Sequence, residues 1–418
     1  MRIVHLCPGT GNYYNGVGIR DHTMVQALRR VGHNVKFMPI FLPVITEEKE
    51  VDTSEIYLDF IHLYYYQKYA LLKFMPEFIQ RRFNIESMSR KATKLKETWT
   101  PAENLKFAMG LAINADNSPE YQFLVEEIKE FKTNVISITG AYSMGLAPYL
   151  KKHCPDTKII VHFQGEHTLL EALDKDLGDK FIEHIRNCAE SVDQVIFQSE
   201  FAKDYFADKW KLSLDNSRVI ENGISMNLFK VQDKTPKKET IGHLSHLQKG
   251  KNLNALVDAF KLICEKFPQC QMKLGGGMNM KDLNETQDIL SALKADDKYN
   301  MKIMPNLPLD KKLDFLKSLD VLIIAWHDND DCDNSCLEAM ASGIPVIAPA
   351  KGPYLEIQEK TGALCLFKAP KEIITLYNKI RTNNKFRKDI SIKCRQGVME
   401  HYTIERMVGD IQIVLDEK

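Results

Sequence analysis

Residues 2–40, RIVHLCPGTGNYYNGVGIRDHTMVQALRRVGHNVKFMPI, decide the fold class of this chain. The run from Arg2 to Cys7 predicts a short strand, which leads into a loop that carries several glycines. From Ile19 to Val31 the apolar residues recur at helical spacing, and Gly32 is predicted to end that helix. His33 to Ile40 predicts a second strand. This order of strand, helix and strand predicts a parallel sheet with ligand-binding loops at the carboxyl ends of its strands.

The same alternation continues outward from this unit. Strands are predicted at VISITG, KIIVHFQ and QVIFQS, with helices from Tyr142 and around residues 168–191. The polar stretch VQDKTPKKET then separates a second alternation, which runs from NLNALVDAFKLICEKF through QCQMKLGGG to IPVIAP. We therefore predict an α/β protein of two Rossmann-like, doubly wound domains whose carboxyl edges face a central cleft.

An insertion between about residues 42 and 114 interrupts the first domain and is predicted to be helical. Nine Lys and Arg stand against four Glu in residues 60–106, a local excess of plus five, although the whole chain carries 56 basic and 56 acidic residues. One interpretation is a helical cover for the first domain with solvated cations. The other is a patch that binds an acceptor or an anionic membrane surface.

Composition excludes several other classes of protein. The 418 residues are 44% hydrophobic and 27% charged, a composition typical of a folded protein. The formal net charge is zero, so the chain as a whole lacks the strongly basic character of a nucleic-acid-binding protein. Nine cysteines without a CxxC pair argue against a disulfide framework or a zinc ribbon and indicate a reduced, cytoplasmic compartment. No run approaches the length and apolarity of a membrane span.

The most informative stretch for function is DNDDCDNSCLEAMASGIPVIAP, residues 328–349. It places Asp330 eight positions before Glu338, with a polar loop between them that starts a helix. Asn334 or Ser335 is the predicted N-cap, so the N–H groups of the first turn, including that of Cys336, would favour a diphosphate. Glu338 could accept hydrogen bonds from a ribose diol, and Asp330 could hold the hydroxyls of a sugar.

This stretch resembles retaining glycosyltransferase family 4, which has the GT-B fold. The hallmark of that family is an acid, seven residues, a Glu and then AMA-x-G-x-PVIA, and residues 338–348 match the run closely. The first acid is Asp330 where the family usually has Glu, and the loop DCDNSC also departs from the family. Asp331 is therefore an alternative for the first acid.

Other segments resemble the same family in the expected order. HLQKGKNLNALVDAF aligns Lys251 with the lysine that neutralises the donor diphosphate, and His246 stands where the family has arginine. A neutral imidazole supplies less positive charge than a guanidinium, and Lys249 could compensate for it. NGVGIRDHTMVQALRRVGHNV maps Gly16, with Gly18 beside it, onto the glycine whose backbone approaches the phosphates.

Two loops complete the set of candidate site residues. The loop after KIIVH normally offers a polar residue to the transferred sugar; His162, Gln164 and Glu166 are candidates, and Glu166 is favoured because it lies beyond the strand end. Base recognition in this fold is largely through backbone groups, which here would lie near Asn306 and Leu307.

The resemblance implies a metal-independent transferase that moves a sugar, with retention, from a UDP- or GDP-linked donor to a glycan or lipid-linked acceptor. It assigns residues 1–230 to the acceptor and 239–395 to the donor, with a last helix at 396–418 crossing back to the first domain. Cell-surface polysaccharide or glycoconjugate synthesis is the expected pathway. The expected location is cytoplasmic, with the insertion as a peripheral membrane contact.

Other functions remain open at this stage. His246 and the altered acid loop are compatible with a catalytically silent GT-B relative that binds a nucleotide sugar or glycan as a partner subunit or sensor. A sugar-nucleotide 2-epimerase on the same fold is a weaker alternative. A dehydrogenase is weaker still, because the GxGxxG fingerprint and the acid that follows it are missing.

Overall fold

The computed structural model describes residues 1–9, 14, 16–40, 44, 106, 108–110, 119–166, 174–231, 239–247, 252–278, 299–325 and 334–417. Most of the predicted insertion lies outside these residues. So do three candidate site residues, Asp330, Lys249 and Lys251, together with Asp331.

The first domain is built on a six-stranded sheet with the strand order β2-β1-β3-β4-β5-β6, and its described pairs are all parallel. The strands are β1 (Arg2–Cys7), β2 (Asn34–Pro39), β3 (Val135–Thr139), β4 (Lys158–His162), β5 (Gln194–Phe197) and β6 (Ser217–Val219). The helices are α1 (Gly16–Arg30), α2 (Pro119–Glu130), a short 3-10 helix (Ala141–Leu146), α3 (Ala147–His153), α4 (Lys175–Ala189) and α5 (Glu200–Trp210).

The second domain repeats this architecture with the strand order β12-β11-β10-β7-β8-β9, again with parallel pairs. Its strands are β7 (Thr240–Leu244), β8 (Gln271–Gly276), β9 (Asn300–Pro305), β10 (Val321–Ile323), β11 (Val346–Pro349) and β12 (Leu364–Phe367). The helices are α6 (Leu253–Lys266), α7 (Leu309–Lys317), α8 (Asn334–Ala341), α9 (Pro353–Thr361), α10 (Pro370–Thr382), α11 (Asn384–His401) and α12 (Ile404–Asp416). Two parallel, doubly wound sheets confirm the predicted fold class.

Burial on both faces explains why the strands read as nearly continuous apolar runs. In β1, Val4 and Leu6 pack into one core cluster, whereas Ile3 and Cys7 pack into another with residues of α1 and α12. His5 lies between Ile3 and Cys7 on that second face and is also fully buried. A polar residue therefore interrupts an otherwise apolar face of the first sheet.

The chain returns to the first domain at its last helix. Residue 396, the predicted start of the crossing segment, falls inside α11, whose Cys394 and Val398 pack in the second domain. The helix that crosses is α12, which packs beside α1. Gly223 allows this crossing, because a Cβ at that position would lie 2.6 Å from the Cα of Ile404.

Candidate active site

The two domains meet beside the carboxyl ends of their strands. Asn222, at the end of the first domain, donates a 2.9 Å hydrogen bond to Oδ1 of Asn334 at the start of α8. Glu356 of α9 accepts hydrogen bonds from the backbone N–H groups of Glu200 (3.1 Å) and Phe201 (2.7 Å). Because these two N–H groups belong to the first turn of α5, a carboxylate of the second domain occupies a helix N-terminus of the first.

Glu338 lies in the second turn of α8, as the sequence predicts. It is buried, and its Oε1 lies 2.6 Å from Nζ of Lys312 in α7. A buried carboxylate needs such a partner, because an unpaired charge in the protein interior is costly. The far end of α8 is held by Arg395, which donates to the carbonyl oxygens of Ala341 and Phe229. Charged side chains from two neighbouring helices thus contact the middle and the C-terminal end of α8.

The first turn of α8 differs from the predicted cap. Asn334 is already a helical residue, so neither Asn334 nor Ser335 is the N-cap of α8. The Ser335 hydroxyl is buried and has no hydrogen-bond partner in the part of the chain that the structure describes. Cys336 packs its side chain into the core, which leaves only its backbone N–H for the predicted phosphate contact. The unsatisfied hydroxyl is the feature of this turn that fits a bound ligand.

The glycine loop of the first domain opens onto α1. Gly16 is the first residue of α1 and is exposed, and a Cβ built on it would meet no atom within 4 Å. Gly18, two residues further along α1, is buried. Packing therefore does not require a glycine at position 16. Close approach of a ligand to the backbone is a reason for a glycine at this position.

In the second domain, the loops after β7 and β8 approach each other very closely. A Cβ on Gly276, whose φ is +139°, would lie 1.6 Å from the carbonyl oxygen of Ser245. Glycine is required here because no other residue leaves room for that carbonyl. The contact fixes the half-buried His246, which follows Ser245 directly.

Asn306 and Leu307 lie beyond the end of β9. The Asn306 side chain accepts a hydrogen bond from the N–H of Met278 (3.1 Å) and donates one to its carbonyl (2.8 Å). Leu307 packs against the core of the second domain. The Asn306 amide therefore ties two loops together, and a role of this pair in base recognition remains a prediction for their backbone groups.

A ring of five buried polar side chains lies under the start of α1. Nδ1 of His5 and Nε2 of His162 lie 2.8 Å and 3.0 Å from the hydroxyl of Ser137, which stands between them. Nδ1 of His162 lies 3.0 Å from the guanidinium of Arg20, and that guanidinium also pairs with Asp21 at 3.0 Å. Asp21 and Nε2 of His5, 3.6 Å apart, close the ring.

Arg20 determines the direction of the hydrogen bonds around this ring. Because a guanidinium only donates, Nδ1 of His162 must accept, so the His162 proton sits on Nε2 and is donated to Ser137. Ser137 can then donate to Nδ1 of His5, whose Nε2–H faces Asp21. Burial, with the charge of Arg20, holds the pKa of His162 well below its usual value, so this imidazole is neutral.

The loop after β4 carries the remaining candidates for the sugar contact. Both carboxylate oxygens of Glu166 accept backbone hydrogen bonds, from Ala141 (2.9 Å) and from Gln164 (2.6 Å). Gln164 is half-buried, and its amide donates to Asp21 at 3.2 Å. Among the three candidates, His162 belongs to the ring, Glu166 joins two loops and Gln164 links the ring to the loop. Direct contact between Glu166 and a sugar remains a prediction.

The sequence analysis did not predict the polar ring or the contact of Lys312 with Glu338.

The described residues contain no group of three or more His, Cys, Asp or Glu side chains arranged to hold a metal ion. Within the same residues, no helix is long and apolar enough to cross a membrane.

Residues 225–396 match the family model described as glycosyl transferases group 1. The matched part of the chain is similar to a glycosyl transferases group 1 domain. It contains β7–β12 and the Glu338 helix, and its match agrees with the resemblance found in the sequence. A search of curated proteins finds no significant match to the chain.

Solved structures extend the comparison to the whole chain. Sucrose-phosphate synthase from Thermosynechococcus elongatus matches with a TM-score of 0.71 and 14% identity, over 99% of this chain and 98% of that one. The Anabaena protein Alr3699/HepE, in complex with UDP-glucose, matches with a TM-score of 0.66 and 13% identity, over 99% of each chain. A glycosyltransferase from Rickettsia africae matches with a TM-score of 0.63 and 14% identity, over 99% of this chain and 97% of that one. The predicted GT-B fold is confirmed by these structural matches.

Proposed function

We propose that this chain is a glycosyltransferase that moves a sugar from a nucleoside-diphosphate sugar to a glycan or lipid-linked acceptor, with retention of configuration and without a metal ion. The observation that carries the proposal is the ligand-facing side of α8. Ser335 and Glu338 stand three positions apart, on one face of the helix, and bring a buried unsatisfied hydroxyl and a carboxylate to its first two turns. Helix N–H groups favour phosphate, and a carboxylate suits ribose hydroxyls.

The comparisons support the class of donor. The Anabaena structures contain UDP, UDP with glucose, and UDP-glucose. Staphylococcal TarM was crystallised with UDP and a glycan, and its structure matches 71% of this chain with a TM-score of 0.56. These relatives are about 13–16% identical to the chain, so the choice between UDP and GDP rests on experiment.

The proposed reaction needs no strong protein base. The bond between the anomeric carbon and the diphosphate oxygen breaks, and a bond from that carbon to the acceptor oxygen forms on the same face of the sugar. The leaving diphosphate takes the acceptor proton. Lys251, Lys249, His246 and the N-termini of α8 and α1 are proposed to stabilise the negative charge on this leaving group, which would replace a divalent cation.

The acceptor is proposed to bind the first domain, near the loops after β1, β3 and β4. The insertion would contribute there, and its plus-five excess would favour an anionic membrane surface that carries a lipid-linked acceptor. Flotation with anionic vesicles at low salt tests this assignment. Binding that is lost on charge reversal at Arg81 and Arg82 supports it, whereas no binding and unchanged activity contradict it.

A thermal-shift panel tests the donor assignment. The purified chain is heated with UDP, GDP or ADP and with their sugars, all in excess EDTA. One nucleoside diphosphate is expected to raise Tm, because a ligand that binds only the folded state stabilises it. Glu338→Gln should remove most of that shift. An unchanged Tm with every nucleotide would contradict the proposed function.

A further inference from the structure

Lys312 is held on two sides within the second domain. Its Nζ lies 2.6 Å from Oε1 of Glu338 and 5.6 Å from the centroid of the Phe229 ring. The side chains of Lys312 and Glu338 are 6% and 7% exposed. Lysine is rarely buried to this degree unless it is paired, and a cation over an aromatic face gains further attraction. The ammonium therefore has a defined position rather than the mobility of a surface lysine.

This contact leaves the two oxygens of Glu338 in different states. Oε1 faces the ammonium, whereas Oε2 makes no hydrogen bond within the described residues. Ser335 lies one turn earlier on the same face of α8, and its buried hydroxyl also lacks a partner there. The ion pair restrains the rotation of the carboxylate and leaves Oε2 available on the face of α8 that also carries Ser335.

We propose that Lys312 is a positioning residue that determines nucleotide specificity. It holds Glu338 so that Oε2 accepts a hydrogen bond from a ribose hydroxyl of the donor. This inference rests on the proposed function and goes beyond it, because it makes discrimination between ribose and deoxyribose depend on a lysine of α7 that does not touch the nucleotide. A carboxylate is a stronger hydrogen-bond acceptor than a neutral amide or hydroxyl group, and one that is held in a fixed orientation loses less entropy on binding.

A merely structural ion pair makes a different prediction. Its loss would lower Tm, and it would weaken the binding of nucleotides with and without the hydroxyl by the same factor. A positioning role changes the ratio of the two affinities. The ratio of dissociation constants for the deoxy and the parent nucleotide therefore separates the two roles, and it is insensitive to a uniform loss of active protein.

The experiment measures this ratio by calorimetry with the nucleoside diphosphate that the thermal-shift panel selects, UDP or GDP, and with its 2′-deoxy and 3′-deoxy forms. In the wild type at least one deoxy form should bind about tenfold more weakly or worse, as expected for loss of a hydrogen bond to a charged group. Lys312→Met should bring that ratio close to one, mainly by weakening the parent nucleotide. Lys311→Met is the matched control, since Lys311 is an exposed neighbour in the same helix.

A second variant covers the case in which Lys312→Met does not fold. Lys312→Gln keeps a polar side chain with a hydrogen-bond donor but removes the charge, and it should lower the ratio to an intermediate value. A ratio that stays at the wild-type value in both soluble variants, or a wild type that binds both deoxy forms as well as the parent, would overturn the inference. A wild type that binds no nucleoside diphosphate would instead contradict the proposed function.

Discussion

Asn222 Nδ2 donates a 2.9 Å hydrogen bond to Oδ1 of Asn334, and this bond joins the end of the first domain to the first residue of α8. The helix proposed to hold the donor thus contacts the other domain directly. The same junction includes the carboxylate of Glu356 at the N-terminus of α5 and the ion pair of Lys360 with Glu221. Domain contact and donor binding are expected to influence each other through α8.

Glu356→Ala should loosen this junction. The N–H groups of Glu200 and Phe201 lose their acceptor, and a hydrogen bond to a charged group contributes roughly 1.5–3 kcal/mol. We expect hydrogen exchange at the Phe201 amide to rise about tenfold or more, while exchange in the centre of β1 stays unchanged. Glu359→Ala is the control, because Glu359 is exposed on the same helix. Equal exchange at Phe201 in both variants would show that the contact does not join the domains in solution.

Gly16→Ala should weaken ligand binding without destabilising the fold. A Cβ at this position has open space around it, so Tm should be unchanged or slightly higher. If the backbone at Gly16 approaches the phosphates, the added methyl group should weaken nucleoside diphosphate binding by about tenfold or more, roughly 1.4 kcal/mol. Gly409→Ala in α12 is a matched control, since a Cβ there also meets nothing within 4 Å. Unchanged affinity in Gly16→Ala would remove this glycine from the site.

The polar ring predicts how stability depends on pH. The folded-state pKa of His162 is lowered by burial and by the charge of Arg20. The unfolded chain therefore binds more protons at this residue than the folded chain does once the pH falls below about 6.5. The stability that neutral His162 provides is complete above that pH. It should fall by up to about 1.4 kcal/mol per pH unit as the pH drops towards the lowered pKa.

Urea unfolding at pH 7.5, 6.5 and 5.5 measures this dependence. His162→Gln can accept from Arg20 and donate to Ser137 but has no ionisable group, so its free energy of unfolding should fall less steeply between pH 6.5 and 5.5. His401→Gln, at a partly exposed histidine, is the control and should keep the wild-type slope. Identical slopes for His162→Gln and the wild type would mean that His162 titrates normally.

Local patterns allowed much of the fold to be predicted. The bounds predicted for β1 match the structure, and the predicted helix from Ile19 lies within α1 except for its last residue, Val31. The position of Glu338 in α8 follows from the same reasoning. These features depend on neighbouring residues, where apolar spacing and glycine positions carry the signal.

Other parts of the site depend on contacts between distant residues. Lys312 lies on an amphipathic helix among other lysines, and nothing local distinguishes it from a solvated cation. Its burial follows from the approach of α7 to Glu338, 26 positions away. The sequence contains a weak indication of the polar ring, because His5, Ser137 and His162 are polar residues within strongly apolar strands. Such interruptions mark buried polar groups, although only the fold shows that they meet.

Release of nucleoside diphosphate from a nucleotide sugar tests the central claim most directly. The purified chain is incubated in EDTA with a panel of UDP- and GDP-sugars, with and without candidate acceptors, and free UDP or GDP is measured. We predict that the wild type turns over one of these donors. In Glu338→Gln that turnover should fall at least about a hundredfold, which is equivalent to a loss of roughly 2.7 kcal/mol of transition-state stabilisation. Tight binding of a nucleotide sugar without turnover of any donor would contradict the account and would indicate a silent GT-B relative.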